Sequence, residues 1–172
     1  MSNRALEKIK EKMFSLENKI KQASIIVILL GAGGKGLKER REIKKTLKSK
    51  GIIALVPEDD FPSEAPSLTE EAILEDSDID LIFINVESWG SVAEFVQFAK
   101  NSRIAPKLRV LVNYQYHPLY GTKKGYLSDL YLTFMAIFGH VYAYDEKMFP
   151  TPKEIITILA DRFRAVKLFK KF

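Results

Sequence analysis

The chain has 172 residues, a net charge of +5, 47% hydrophobic residues and no cysteine. That length suits one domain, large enough to bury roughly 70% of its unfolded surface without a covalent staple. Without cysteine there is no disulfide, thiolate zinc site or cysteine nucleophile, and the two histidines, His117 and His140, argue against a histidine-rich metal site. No apolar run reaches about 18 residues and the first residues are charged, so no membrane span or signal peptide is expected, and the expected location is cytoplasmic.

Residues 4–22 read as a helix, with Leu6, Ile9, Met13, Leu16 and Ile20 at 3-4-3-4 spacing. This seam is barely two heptads long, so it packs back on the domain or meets its copy. A homo-oligomer is the expected assembly. Ser24–Leu30 (SIIVILL) is a continuous β-branched run and predicts a strand buried on both faces. A glycine-rich loop follows, then a helix over 37–49, broken by Gly51. Residues 52–56 predict a second buried strand, followed by an acidic loop with Pro57, Pro62 and Pro66 and a short helix over 69–75. Residues 80–86 (DLIFINV) predict a third strand and 91–101 a helix with Val92, Phe95, Val96 and Ala99 on one face. Residues 108–112 (LRVLV) predict a fourth strand, 126–138 an apolar helix, 140–144 a fifth strand and 151–169 a last helix with Pro152 in its first turn.

Strands alternating with helices imply an α/β fold: a three-layer, Rossmann-like or flavodoxin-like domain over residues 23–172, with the N-terminal helix at 1–22. Five such strands predict a parallel sheet in the order 2-1-3-4-5. Ligands in such sheets sit beyond the carboxyl ends of the strands, where the order reverses between the first and third.

The charge is segregated along the chain. Residues 35–50 hold eight basic residues against Glu39 and Glu42, residues 162–171 hold five and no acid, and residues 58–80 hold ten acids and no base. The basic helix has an apolar face (Leu37, Ile43, Leu47), so its charges read as a solvated face, with phosphate attraction near Lys35 as the alternative. Phe163, Phe169 and Phe172 in the basic tail read as helix-packing residues. No recognisable module interleaves aromatics with a basic stripe, which argues against a nucleic-acid partner.

The loop after the first strand, Gly31-Ala32-Gly33-Gly34-Lys35-Gly36, matches G-x-G-x-x-G. Glycines there permit close backbone approach, and the following helix start attracts anions. Glu58 stands where a dinucleotide fold places its ribose-binding acid. The loop after the third strand runs from Asn85 through Trp89, Gly90, Ser91 and Glu94. Ser91-x-x-Glu94 has two readings. It is a capping box, or it turns Glu94 toward the crevice. Trp89 is a packing residue or a platform for a planar base. The aromatic stretch 114–126 borders the same crevice, and its His117 is a loop residue or a proton donor.

The stretch DLIFINVESWGSVAEFVQFAK resembles the nucleoside 2-deoxyribosyltransferase-like and TIR-like superfamily, most of all the variants found as antiphage effectors. The resemblance rests on a buried strand, a G-[S/T] turn and x-x-Glu at a helix start, with Arg40 or Arg41 on the first helix and Val56-Pro57-Glu58-Asp59 behind it. It covers roughly residues 24–145. It is similar also to the phosphoribohydrolases, but lacks their proline-glycine-glycine.

What the resemblance implies is N-glycosidic chemistry on a nucleoside or NAD, with Glu94 as the catalytic carboxylate stabilising or trapping the anomeric carbon. Gly31, Gly33, Gly34, Arg40, Glu58, Asp59, Asn85, Trp89, Gly90 and Ser91 would then bind substrate. Glu58 and Asp59 would bond ribose hydroxyls. Asn85 lies near where the transferases keep an aspartate, and asparagine cannot act as acid or base, which favours hydrolysis over transfer. No resident cofactor or metal is implied, and NAD would enter as substrate or ligand. The alternatives are a regulatory module that binds a nucleotide without turnover, and an NAD(P) oxidoreductase using Gly31, Gly33, Gly36 and Glu58.

Overall fold

The structure, a computed structural model, describes residues 3–169. Five parallel strands form one sheet in the order β2-β1-β3-β4-β5: β1 Ile26–Leu30, β2 Ile53–Leu55, β3 Leu81–Asn85, β4 Leu108–Asn113 and β5 Val141–Tyr144. The helices are α1 Asn3–Gln22, α2 Lys35–Ser49, α3 Pro57–Asp60, α4 Pro66–Leu74, α5 Trp89–Ala99, α6 Tyr126–Phe138 and α7 Pro152–Phe169. The α/β fold and its strand order are those expected from the sequence.

The two-residue period of the strands divides the core in two. Ile28, Ile82, Ile84, Val110 and Val112 face Leu74 of α4, Phe95 and Phe98 of α5, and Tyr131 and Phe134 of α6. Val27, Leu29, Phe83 and Leu111 face Ile43 and Leu47 of α2 and Ile155, Ile156 and Ala160 of α7. Each fully buried Leu or Ile contributes about 2 kcal/mol of transfer free energy, and the central strands bury both faces, which is why they read as unbroken apolar runs.

Several boundaries differ from expectation. β2 is an edge strand of three residues, and Ile53 on it is 47% exposed, because the strand order leaves one side of β2 unpaired. The acidic stretch after it holds a helical turn, α3, started by Pro57. α2 begins at Lys35 and α5 at Trp89, two residues before the expected starts. On α5, Phe98 is buried where Val92, Val96 and Ala99 are only partly so. Gly51 ends α2 in the left-handed region, φ 79°, as a terminating glycine does.

α1 meets α7 near its C-terminal end. Arg164, 4% exposed, donates to the carbonyls of Lys21 at 3.1 Å and Lys50 at 2.6 Å. Leu6, Ile9 and Met13 of its seam stay exposed. In the basic tail Phe163 packs on the α2–α7 core, Phe169 is exposed, and Phe172 lies outside the described residues. Among the described residues no helix is long and apolar enough to cross a membrane.

Candidate functional site

The switch point between β1 and β3 is closed by Arg40. This residue shares the buried face of α2 with Ile43 and Leu47 and is 4% exposed, so the expected solvated helix face does not extend to it. Its guanidinium donates to the carbonyls of Leu29 at 3.2 Å, Gly31 at 3.3 Å and Ala32 at 2.7 Å, and pairs with Glu58 at 2.5 Å. A Cβ on Gly31 would stand 3.3 Å from Arg40 Nε and 3.4 Å from the Asn85 carbonyl, so the glycine lets the arginine cross the strand ends. The space left, between Gly31, Ala32, Glu39, Arg40, Asn85 and Glu87, is about 20 Å³. That holds about one water molecule. Burial, and then the charge of Glu87, raise the Glu39 carboxyl above its ordinary range. Gly33 and Gly34 are exposed with open space around them, and Gly34 turns the chain at φ 59°.

The charge runs segregated in sequence meet in space. Arg41 grips Asp59 through two hydrogen bonds of 2.9 and 2.7 Å, and Lys44 meets Asp60 at 2.7 Å. With Arg40–Glu58 they form a ladder between α2 and α3. Asp59 is therefore held on the exposed side of that ladder, its carboxyl kept below its ordinary range by the Arg41 hydrogen bonds.

Helix α5 carries the second group. Its cap is Ser88, whose Oγ accepts from Ser91 N at 3.2 Å, while Ser91 Oγ accepts from Ser88 N at 2.8 Å. The reciprocal cap thus lies one turn earlier than the Ser91–Glu94 box weighed from the sequence, because the helix begins at Trp89. Ser91 is 1% exposed and committed to that cap, and Gly90 is exposed.

Glu94 is free of capping and turns toward α4, where its carboxyl meets that of Glu70. Burial first, then the charges of Glu70 and Glu58, push Glu94 up to about 8. Burial raises Glu70 as well. The charge of each carboxyl acts on the other, which favours a protonated group in the pair. Glu70 Oε1 is buried and has no hydrogen-bond partner among the described residues. The charges of Glu58 and Arg40 act on Glu94 as well, in opposite directions.

The larger cavity lies one strand over, between the carboxyl ends of β3 and β4. It measures about 450 Å³ and is walled by Glu87, Trp89, Asn113, Gln115, Tyr116 and Tyr131, among others. Asn85 and Tyr144 both donate to Glu87 Oε1, the tyrosine at 3.3 Å. Glu87 lines both cavities, whereas Glu94 lines neither.

His117 is structural. It is 2% exposed; its Nδ1 accepts from Leu119 N at 3.2 Å, which leaves the proton on Nε2 to donate to the Val141 carbonyl at 3.0 Å. Burial lowers its pKa. Among the described residues no group of three or more His, Asp or Glu side chains is placed to hold a metal ion.

Sequence reasoning singled out Glu94, Arg40 and Trp89 but passed over Glu70, Glu87, Gln115 and Tyr131. Glu87 had a signal, two residues past Asn85 at a strand end. Glu70, 24 positions before Glu94, had none. No protein-family model matches the chain, and no curated protein matches it.

Proposed function

We propose that this protein hydrolyses the N-glycosidic bond of a nucleoside, with Glu94 as the catalytic carboxylate. The observation that supports this most is the Glu94–Glu70 pair beside Arg40 and Glu58, at the head of a parallel sheet. A pair holding one proton near neutral pH supplies an acid for the leaving base. Glu94 gives its proton to the base nitrogen as the C1′–N bond breaks. The carboxylate left behind stabilises the oxocarbenium character at C1′. Water adds to C1′, and its proton returns to the pair.

This chemistry favours nucleosides over NAD, because nicotinamide leaves NAD as a neutral ring and needs no proton. Incubation with nucleosides, deoxynucleosides, nucleotides and NAD, with released base measured, tests it. Release from a nucleoside is expected, falling as pH rises past about 8. Failure to release base from any of them between pH 5 and pH 9 contradicts it.

Binding without turnover is favoured by a different observation, that Glu94 lines neither cavity while the larger one is walled by aromatic and amide groups. Calorimetry showing affinity, with the ligand recovered unchanged, would support it. The exposed Leu6, Ile9 and Met13 of α1 support self-association, which the mass in solution tests.

A further inference from the structure

Tyr131 is 1% exposed and its ring packs on Phe95, with centroids 5.2 Å apart. It lines the 450 Å³ cavity, yet its hydroxyl makes no hydrogen bond among the described residues. The hydroxyl is not among the buried unpaired atoms, so it reaches the space of the cavity, where a ligand can meet it. The wall beside it carries further unused polar atoms. Asn113 Oδ1 accepts from Gln115 N at 3.1 Å, which leaves its amide NH2 free, and the Gln115 side chain makes no hydrogen bond among the described residues.

The aromatic surfaces of the cavity differ in availability. Lys123 sits 5.1 Å from the centroid of Tyr116 and covers that ring. Trp89, at the rim, is 90% exposed. Among the described residues no lysine or arginine lines the cavity and Glu87 is its one charged wall; Lys123 stands outside it, against Tyr116. The volume lies within the range of about 300–1,000 Å³ typical of small-molecule sites.

We infer that this cavity binds a neutral planar heterocycle of nucleobase type, stacked on Trp89, with its polar edge against Gln115, Asn113 and the Tyr131 hydroxyl. A flat ring with donors and acceptors on one edge satisfies the three unpaired groups together, which an apolar ligand would not. The site rests on the proposed nucleoside chemistry only for the class of ligand; Glu94 does not line it, so ring binding here is separate from proton transfer by Glu94. Glu87, shared with the switch-point cavity, then lies where the ring's sugar substituent leaves toward the glycine loop.

Trp89 is the single tryptophan, so its emission reports the rim directly. The full chain is titrated with free adenine, cytosine and nicotinamide, and the affinity of any ring that quenches is repeated by calorimetry. Saturable quenching by at least one ring is expected. Tyr131→Phe should weaken that ring about fivefold, in line with loss of one hydrogen bond, and Gln115→Ala should do the same if the phenylalanine variant fails to fold.

Absence of saturation by all three rings, or equal affinity in wild type, Tyr131→Phe and Gln115→Ala, overturns the site. Loss of binding in Glu94→Gln alone would place the ring at the acid pair and also overturn it. Ring binding together with no base release from any nucleoside keeps this site and rejects the hydrolytic function.

Discussion

The two clefts along the carboxyl edge of the sheet differ in what fills them. At the β1–β3 switch point, Arg40 spans three backbone carbonyls and Glu58, and about 20 Å³ remains. Between β3 and β4, about 450 Å³ stays open and aromatic. Strand order places a crevice, but side-chain volume decides whether it is vacant. The closed cleft concentrates charge, in the Arg40–Glu58 pair and the nearby Glu94–Glu70 acid pair. The open one concentrates flat rings and amides.

The largest expected effect is at the plug. Arg40→Leu leaves the carbonyls of Leu29, Gly31 and Ala32 without their donor, and should cost about 3 kcal/mol in denaturant unfolding, since buried acceptors left unpaired are costly. A loss near zero would mean that the guanidinium merely lies against the strand ends.

The acid pair gives a smaller effect with a pH signature. The Glu94 carboxyl has an ordinary value of 4.5 and is pushed up to about 8 in the fold. Between those values the folded state binds more protons than the unfolded one, so stability contributed there falls as pH rises. Glu94→Gln should be more stable than wild type at pH 8, by about 2 kcal/mol, and should differ little near pH 4. Parallel pH–stability curves for the two proteins would show that Glu94 titrates normally.

The smallest effect belongs to the outer rung of the charge ladder. Arg41→Ala removes the exposed pair with Asp59 and should move the melting temperature by no more than about one degree. A loss approaching that of Arg40→Leu would erase the contrast between buried and exposed rungs.

Most of the fold was legible because parallel strands buried on both faces read as apolar runs: SIIVILL, DLIFINV and LRVLV. The edge position of β2 was implied by the strand order, yet its residues Ile53-Ala54-Leu55 look no different from a central strand. The site was legible one residue at a time. Arg40 falls in register with Leu37, Ile43 and Leu47, yet the charges of α2 read as a solvated face, and nothing in the spacing says that this guanidinium would cap strand ends. The Ser91–Glu94 spacing suggested a cap that Ser88 in fact forms with Ser91. The meeting of Glu94 with Glu70 depends on how α4 packs against α5, and the open cavity depends on volumes left unfilled. Neither is a local property of the chain.

The most direct test is release of free base from a panel of nucleosides by wild type and Glu94→Gln at pH 7, with folding of both checked by circular dichroism. Wild type should release base from at least one nucleoside, and Glu94→Gln should do so at least about 100-fold more slowly, as expected for loss of a general acid. Equal release by the two proteins would contradict the role of Glu94 at the centre of this account.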